Sequence, residues 1–171
     1  MYSLEHNDSL THTNGFASLG AIGGGLSIRH NNAMTAMGDF NNLVSVGTDA
    51  DIGFRNLSIS NNAALHHFDG FDSLTEVGGG LYITYNDELT DISAFFELAT
   101  VAASPEYDDR VLSISHNPML GRIGGLNTLT HLGGVMYLRD NPSVTNIEGF
   151  NALETVGGGV YTTNNHALTR I

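Results

Sequence analysis

Tyrosine, histidine, arginine and serine recur in this chain at fixed distances before an asparagine, and these are side chains that bind. Four residues before each of seven such asparagines stand Ser3, Ser27, Ser58, Tyr82, Ser113, Tyr137 and Tyr161. Two before stand Glu5, Arg29, Ser60, Thr84, Ser115, Arg139 and Thr163. Immediately before stand His6, His30, Asn61, Tyr85, His116, Asp140 and Asn164. Rigid aromatic rings among small, adaptable polar groups make the composition of a recognition surface. Tyr82, Tyr85, Tyr137, Tyr161, Arg29, Arg139, His30 and His116 are therefore the candidate ligand-facing residues, for a protein or for a glycan whose rings stack on tyrosine. The plainer alternative is a soluble covering of a sheet.

Other chemistries find little footing. There is no Cys, which removes thiolate ligands, thiolate nucleophiles and disulfides. There is no Lys, and the six basic residues are all Arg, with Arg29 and Arg139 isolated among Ser and Thr. No nucleophile triad, phosphate loop or H-E-x-x-H motif occurs, and "GAIGGG" precedes no helical pattern, so no enzyme is expected. His6 and His30 are equivalent positions of neighbouring units, but no third metal ligand is fixed by spacing. The acids Asp49, Asp51, Glu106, Asp108 and Asp109 could gather round Ca²⁺, a hard ion that takes oxygen ligands. They lack the spacing of a helix–loop–helix calcium site, and solvated loop charge is the other reading. No further cofactor is expected. A net charge of −12 disfavours nucleic acid and anionic lipid as partners. No stretch reaches the ~18 apolar residues of a membrane span, and "MYSLEHNDSLT" shows neither the basic nor the apolar region of a signal peptide.

What positions these residues is a repeat. The asparagines are Asn7, Asn31, Asn62, Asn86, Asn117, Asn141 and Asn165, spaced 24, 31, 24, 31, 24 and 24 residues apart. Five before each comes Tyr2, Leu26, Leu57, Leu81, Leu112, Met136 or Val160, and three before comes Leu4, Ile28, Ile59, Ile83, Ile114, Leu138 or Thr162. This period of two predicts a short strand with both apolar side chains on one face. After the asparagine the period becomes three: Leu89, Ile92, Phe95, Leu98 and Val101 in one unit, with close equivalents in the others. Such spacing suits a chain bending round a core, one apolar residue inward per bend. One unit cannot bury this stripe alone, whereas stacked units can. The predicted fold is a mainly β solenoid of seven coils over residues 1–171, one domain, with one parallel sheet face. The inward asparagines are expected to form a ladder that satisfies the backbone of each bend. Two coils carry seven extra residues, in "GTDADIGFRN" and "AASPEYDDRV", at the same point of the unit, and are expected to form neighbouring loops.

The stretch "VGGGLYITYNDELTDI" resembles a leucine-rich repeat, and with "F-x-x-L-x-x-V-G-G-G-L-x-I" it is similar to the receptor L domain variant. The resemblance covers essentially the whole chain. It implies a solenoid of the kind found in bacterial surface and secreted proteins and in fungal cell-wall proteins, hence an extracellular or cell-surface place. The chain departs from the animal receptor domains in lacking Cys.

Neither end reads as a polar cap of the sort that isolated solenoids carry. Tyr2, Leu4, Leu10 and Phe16 at one end, and Val160, Leu168 and Ile171 at the other, are candidate assembly surfaces. Two functions are therefore expected: self-association head to tail into a filament or array, with or without adhesion, or recognition of a protein or glycan on the exposed strand face.

Overall fold

The computed structural model describes residues 1–52, 55–103 and 110–171, with no side chain described for Arg110. Among these residues it contains strands and turns and no helix. Each L-x-I segment forms a strand: Tyr2–Glu5, Leu26–Arg29, Leu57–Ser60, Leu81–Thr84, Arg110–Ser115, Val135–Arg139 and Val160–Thr163. The seven pair in chain order into one parallel sheet. Equivalent residues face each other across every rung: Leu57 opposite Leu81, Leu81 opposite Leu112, and Ile83 opposite Ile114. This register places like on like, so the buried Leu and Ile columns run unbroken through the middle of the stack.

The chain leaves each strand by a sharp bend. The residue before every ladder asparagine has a left-handed backbone: His6, His30, Asn61, Tyr85, His116, Asp140 and Asn164 all lie at φ 55–57°. The asparagine then turns inward. Its side-chain oxygen accepts the backbone N–H of the preceding coil's asparagine, at 3.0–3.1 Å along the row from Asn7 to Asn165. From Asn31 onward its amide nitrogen donates to a strand carbonyl of the preceding coil, as Asn86 does to Ile59 at 3.0 Å. Asn31, Asn62, Asn86, Asn117 and Asn141 are fully buried.

The period of three is explained by two tight turns per coil. The N–H of the leucine three residues after the asparagine returns to the asparagine carbonyl, as Leu89 to Asn86. The same bond closes the Phe-x-x-Leu turn, as Leu98 to Phe95. Two-residue strands form between these turns. One six-stranded parallel set runs from Ala21–Ile22 to Thr155–Val156. Inside, Phe16, Phe40, Phe71 and Phe95 stack in sequence at 5.1–5.3 Å between ring centres.

The first insertion folds back on the preceding coil: Asp49 N–H donates to the Gly23 carbonyl and Ile52 N–H to the Asp49 carbonyl. It begins at Gly47, whose φ of +75° and contact with the Arg55 carbonyl leave no space for a Cβ. Asn56 closes it, accepting the Gly80 N–H at 2.7 Å. Residues 104–109 of the second insertion lie outside the described residues. At the ends of the stack Tyr2, Val160 and Ile171 are exposed, while Leu4, Leu10, Phe16 and Leu168 are half-buried.

Candidate functional site

The long sheet presents two outward columns, four and two residues before the ladder asparagine. Tyr137 and Tyr161 occupy adjacent rungs and stack at 4.9 Å, 11° from parallel. Tyr161 lies back along its own strand over Gly159, and Tyr82 does the same over Gly80. A Cβ at Gly80 would stand 2.6 Å from the Tyr82 ring, so the last glycine of V-G-G-G makes room for the tyrosine two residues on. Between the rungs of Tyr82 and Tyr137, Ser113 and Ser115 sit buried with hydroxyls 3.3 Å apart. The face therefore carries aromatic side chains on the rungs either side of a strand whose outward serines are buried.

The two arginines expected to stand isolated on this face are paired. Arg29 Nη2 lies 2.8 Å from Glu5 Oε2 on the neighbouring rung, and Arg139 Nε lies 3.3 Å from Asp140 Oδ2. The Arg29 guanidinium, with the Ser3 and Ser27 hydroxyls behind it, hydrogen-bonds the Glu5 carboxylate and outweighs the opposing effect of burial, holding its pKa down at about 2. In-register stacking brings Glu5 and Arg29 onto adjacent rungs, a relation that linear spacing hides, whereas Arg139 and Asp140 are neighbours in sequence.

The remaining candidates lie on a different surface. His30, Tyr85 and His116 belong to the left-handed column at the strand ends, and here the side chains line a groove. One part, about 580 Å³, is bounded by Tyr85, Asp87, His116, Pro118, Asp140 and Pro142, with Asn164 and His166 at its far end. A second part, about 250 Å³, is bounded by His30, Asn32, Asn61 and Ala63 and shares Tyr85 and Asp87 with the first. Tyr85 and His116 stack at 4.3 Å. His116 Nε2 lies 3.3 Å from Asp140 Oδ2, and Asn164 donates to Asp140 Oδ1 at 2.7 Å. From His6 to Asp140 the column's backbone N–H groups are spent on neighbouring strands, as Tyr85 N–H is on the Ser115 carbonyl.

Asn32, Ala63, Asp87, Pro118, Pro142 and His166, each directly after a ladder asparagine, are groove residues that sequence reasoning passed over. They belong to no apolar period. The available signal was the left-handed bend itself, which aims the residues on both sides of the asparagine at the same edge. His6 and His30 stack face to face at 4.6 Å. Asp49 and Asp51 are exposed, with Asp51 N–H donating to Asp49 Oδ1 at 3.0 Å. Glu106, Asp108 and Asp109 lie outside the described residues, and no group of three or more metal-ligating side chains occurs among the described ones.

These residues build a parallel solenoid with an in-register polar sheet face and an edge groove. The chain belongs to the Receptor L domain family, whose model matches residues 51–153. Receptor L domains are binding rather than catalytic units. Neither the comparison with curated proteins nor that with solved structures finds a match.

Proposed function

We propose that this chain is an extracellular recognition module that holds a protein ligand on the exposed face of its long sheet. The observation that carries this reading is the Tyr137–Tyr161 stack on the outward face of the long sheet. Stacked, pre-positioned tyrosines lose little entropy on docking and cover much area, the property that makes them interface anchors. Family membership supports binding over catalysis. The test is a printed array of secreted proteins and of glycans, probed with wild type and with Tyr137→Ala/Tyr161→Ala. Protein spots lost only in the double variant support the reading. Glycan-only spots, or protein spots indifferent to the substitutions, overturn it.

A second reading is head-to-tail association. Its supporting observation is that Tyr2–Glu5 and Val160–Thr163 each leave one sheet edge unpaired, with Tyr2 53% and Val160 51% exposed. An edge strand is a template for another strand, and a heterologous contact of this kind does not close.

A further inference from the structure

The rings of the left-handed column form a ladder with a gap. His6 stacks on His30 and Tyr85 stacks on His116, each pair within 15° of parallel, so the ring faces look along the stack. Between His30 and Tyr85 the rung is occupied by Asn61, which is shorter than either ring. Two rungs of a parallel sheet span about 9–10 Å. A planar group in van der Waals contact with a ring on each side needs about 7 Å. The gap is thus a slot for one flat group, with the half-exposed Tyr85 ring as one wall and His30 as the other.

The charge of the slot selects what is flat. Its lining is His30, Asn32, Asn61, Ala63, Tyr85 and Asp87, with one carboxylate and neither Arg nor Lys. Asp87 is exposed and stands where the slot meets the longer groove. That groove adds the prolines and Asp140, whose carboxylate is already engaged by Arg139 and His116, which leaves Asp87 as the acid facing a ligand. The whole chain carries a net charge of −12, which attracts cations at a distance. A guanidinium is the flat cation of protein chemistry. It stacks on tyrosine, offers a planar fork to a carboxylate and sheds water more readily than an ammonium.

We infer that the slot between His30 and Tyr85 receives an arginine side chain presented by a protein partner, its guanidinium stacked on Tyr85 and hydrogen-bonded to Asp87. The site is separate from the sheet face proposed above, and each reading can fail without the other.

The test uses a fluorescent peptide, Gly-Arg-Gly-Arg-Gly-Arg-Gly, with versions carrying lysine or citrulline at the same positions. Fluorescence anisotropy is read against wild type, Asp87→Asn, Asn61→Tyr and, as a charge control, Asp72→Asn, an exposed acid outside the groove. Asn61→Tyr closes the slot by completing the ring ladder, and Tyr85 shows that this backbone, at φ 57°, accepts tyrosine. The expected result is arginine-peptide binding that weakens about tenfold or more in Asp87→Asn and in Asn61→Tyr, with Asp72→Asn within about twofold of wild type. The citrulline and lysine peptides should bind wild type more weakly, by roughly the same factor for citrulline. Tyr137→Ala/Tyr161→Ala should leave the affinity unchanged. Equal binding of arginine and lysine peptides overturns the proposal. So does loss of affinity in Asp72→Asn matching that in Asp87→Asn, or arginine-peptide binding unchanged by Asn61→Tyr in a variant whose melting curve matches wild type. An array glycan that binds wild type but not Asn61→Tyr, with no arginine-peptide binding, would reassign the slot to a sugar ring.

Discussion

The ladder asparagines and the leucines beside them differ in why they are irreplaceable. Asn86 accepts the Asn62 N–H, donates to the Ile59 carbonyl, and is itself followed by Asn117 in the same arrangement. Asn86→Ala strands two buried backbone groups of the preceding coil, the Asn62 N–H and the Ile59 carbonyl, and should cost about 1–3 kcal/mol. Leu89 is fully buried, and Leu89→Ala should cost about 2–5 kcal/mol through the cavity it leaves. Asn7→Ala, at the exposed end of the row, should cost less than Asn86→Ala. Denaturant midpoints at constant m-value measure all three, and a midpoint unmoved by Asn86→Ala would refute the buried ladder. Glu5 carries a pH signature. Its folded pKa of about 2 lies below the ordinary 4.5, so the stability it adds is present above pH 4.5 and is lost as pH falls from there towards 2. Glu5→Gln should lower stability modestly at neutral pH, flatten the acid limb of the stability curve in that window, and leave variant and wild type converging as pH approaches 2. Arg29 is half-exposed, which keeps the effect modest.

At the scale of the bend, the left-handed column accounts for part of the surface composition. His, Asn and Asp are the residues besides glycine that enter this backbone region most readily, and they fill six of its seven positions, with Tyr85 the exception. Some of the apparent recognition character of His6, His30 and His116 is therefore backbone chemistry. His30→Val should destabilise by about 1–2 kcal/mol, since a β-branched side chain is strained there, whereas His30→Gly should be tolerated far better. Thermal melts of the two variants decide the point, and equal melting temperatures would contradict the assignment. The same scale shows what the sequence made legible. The strands, the inward Leu and Ile columns and the asparagine row follow from periods of two and three, because each buried position repeats in every coil. Groove residues such as Asp87 and Pro118 repeat in place but not in type, so no period marks them. The pairing of Arg29 with Glu5, 24 residues away in sequence, emerges only when the coils are stacked.

At the scale of the whole molecule, two features oppose each other. The stack leaves a sheet edge and half-buried core residues at each end, among them Leu4, Phe16 and Leu168. In the head-to-tail reading proposed above, apolar burial and edge pairing would favour docking of one copy's last strand on the next copy's first. Yet each copy carries a net charge of −12, and like charges repel over about 10 Å at 0.1 M salt. At about 1 M salt that range falls to about 3 Å, while the apolar contact is not weakened. Association, if head-to-tail docking operates, is thus expected to be promoted by salt, the reverse of an ion-pair contact. Light scattering across a salt series should show the wild type growing from monomer to longer species. Leu4→Asp, at a half-buried edge position, should remain monomeric throughout while keeping the denaturation profile of the middle coils. A wild type monomeric at high salt and high concentration would refute the end-to-end contact. Growth of Leu4→Asp equal to wild type would move the contact away from this edge.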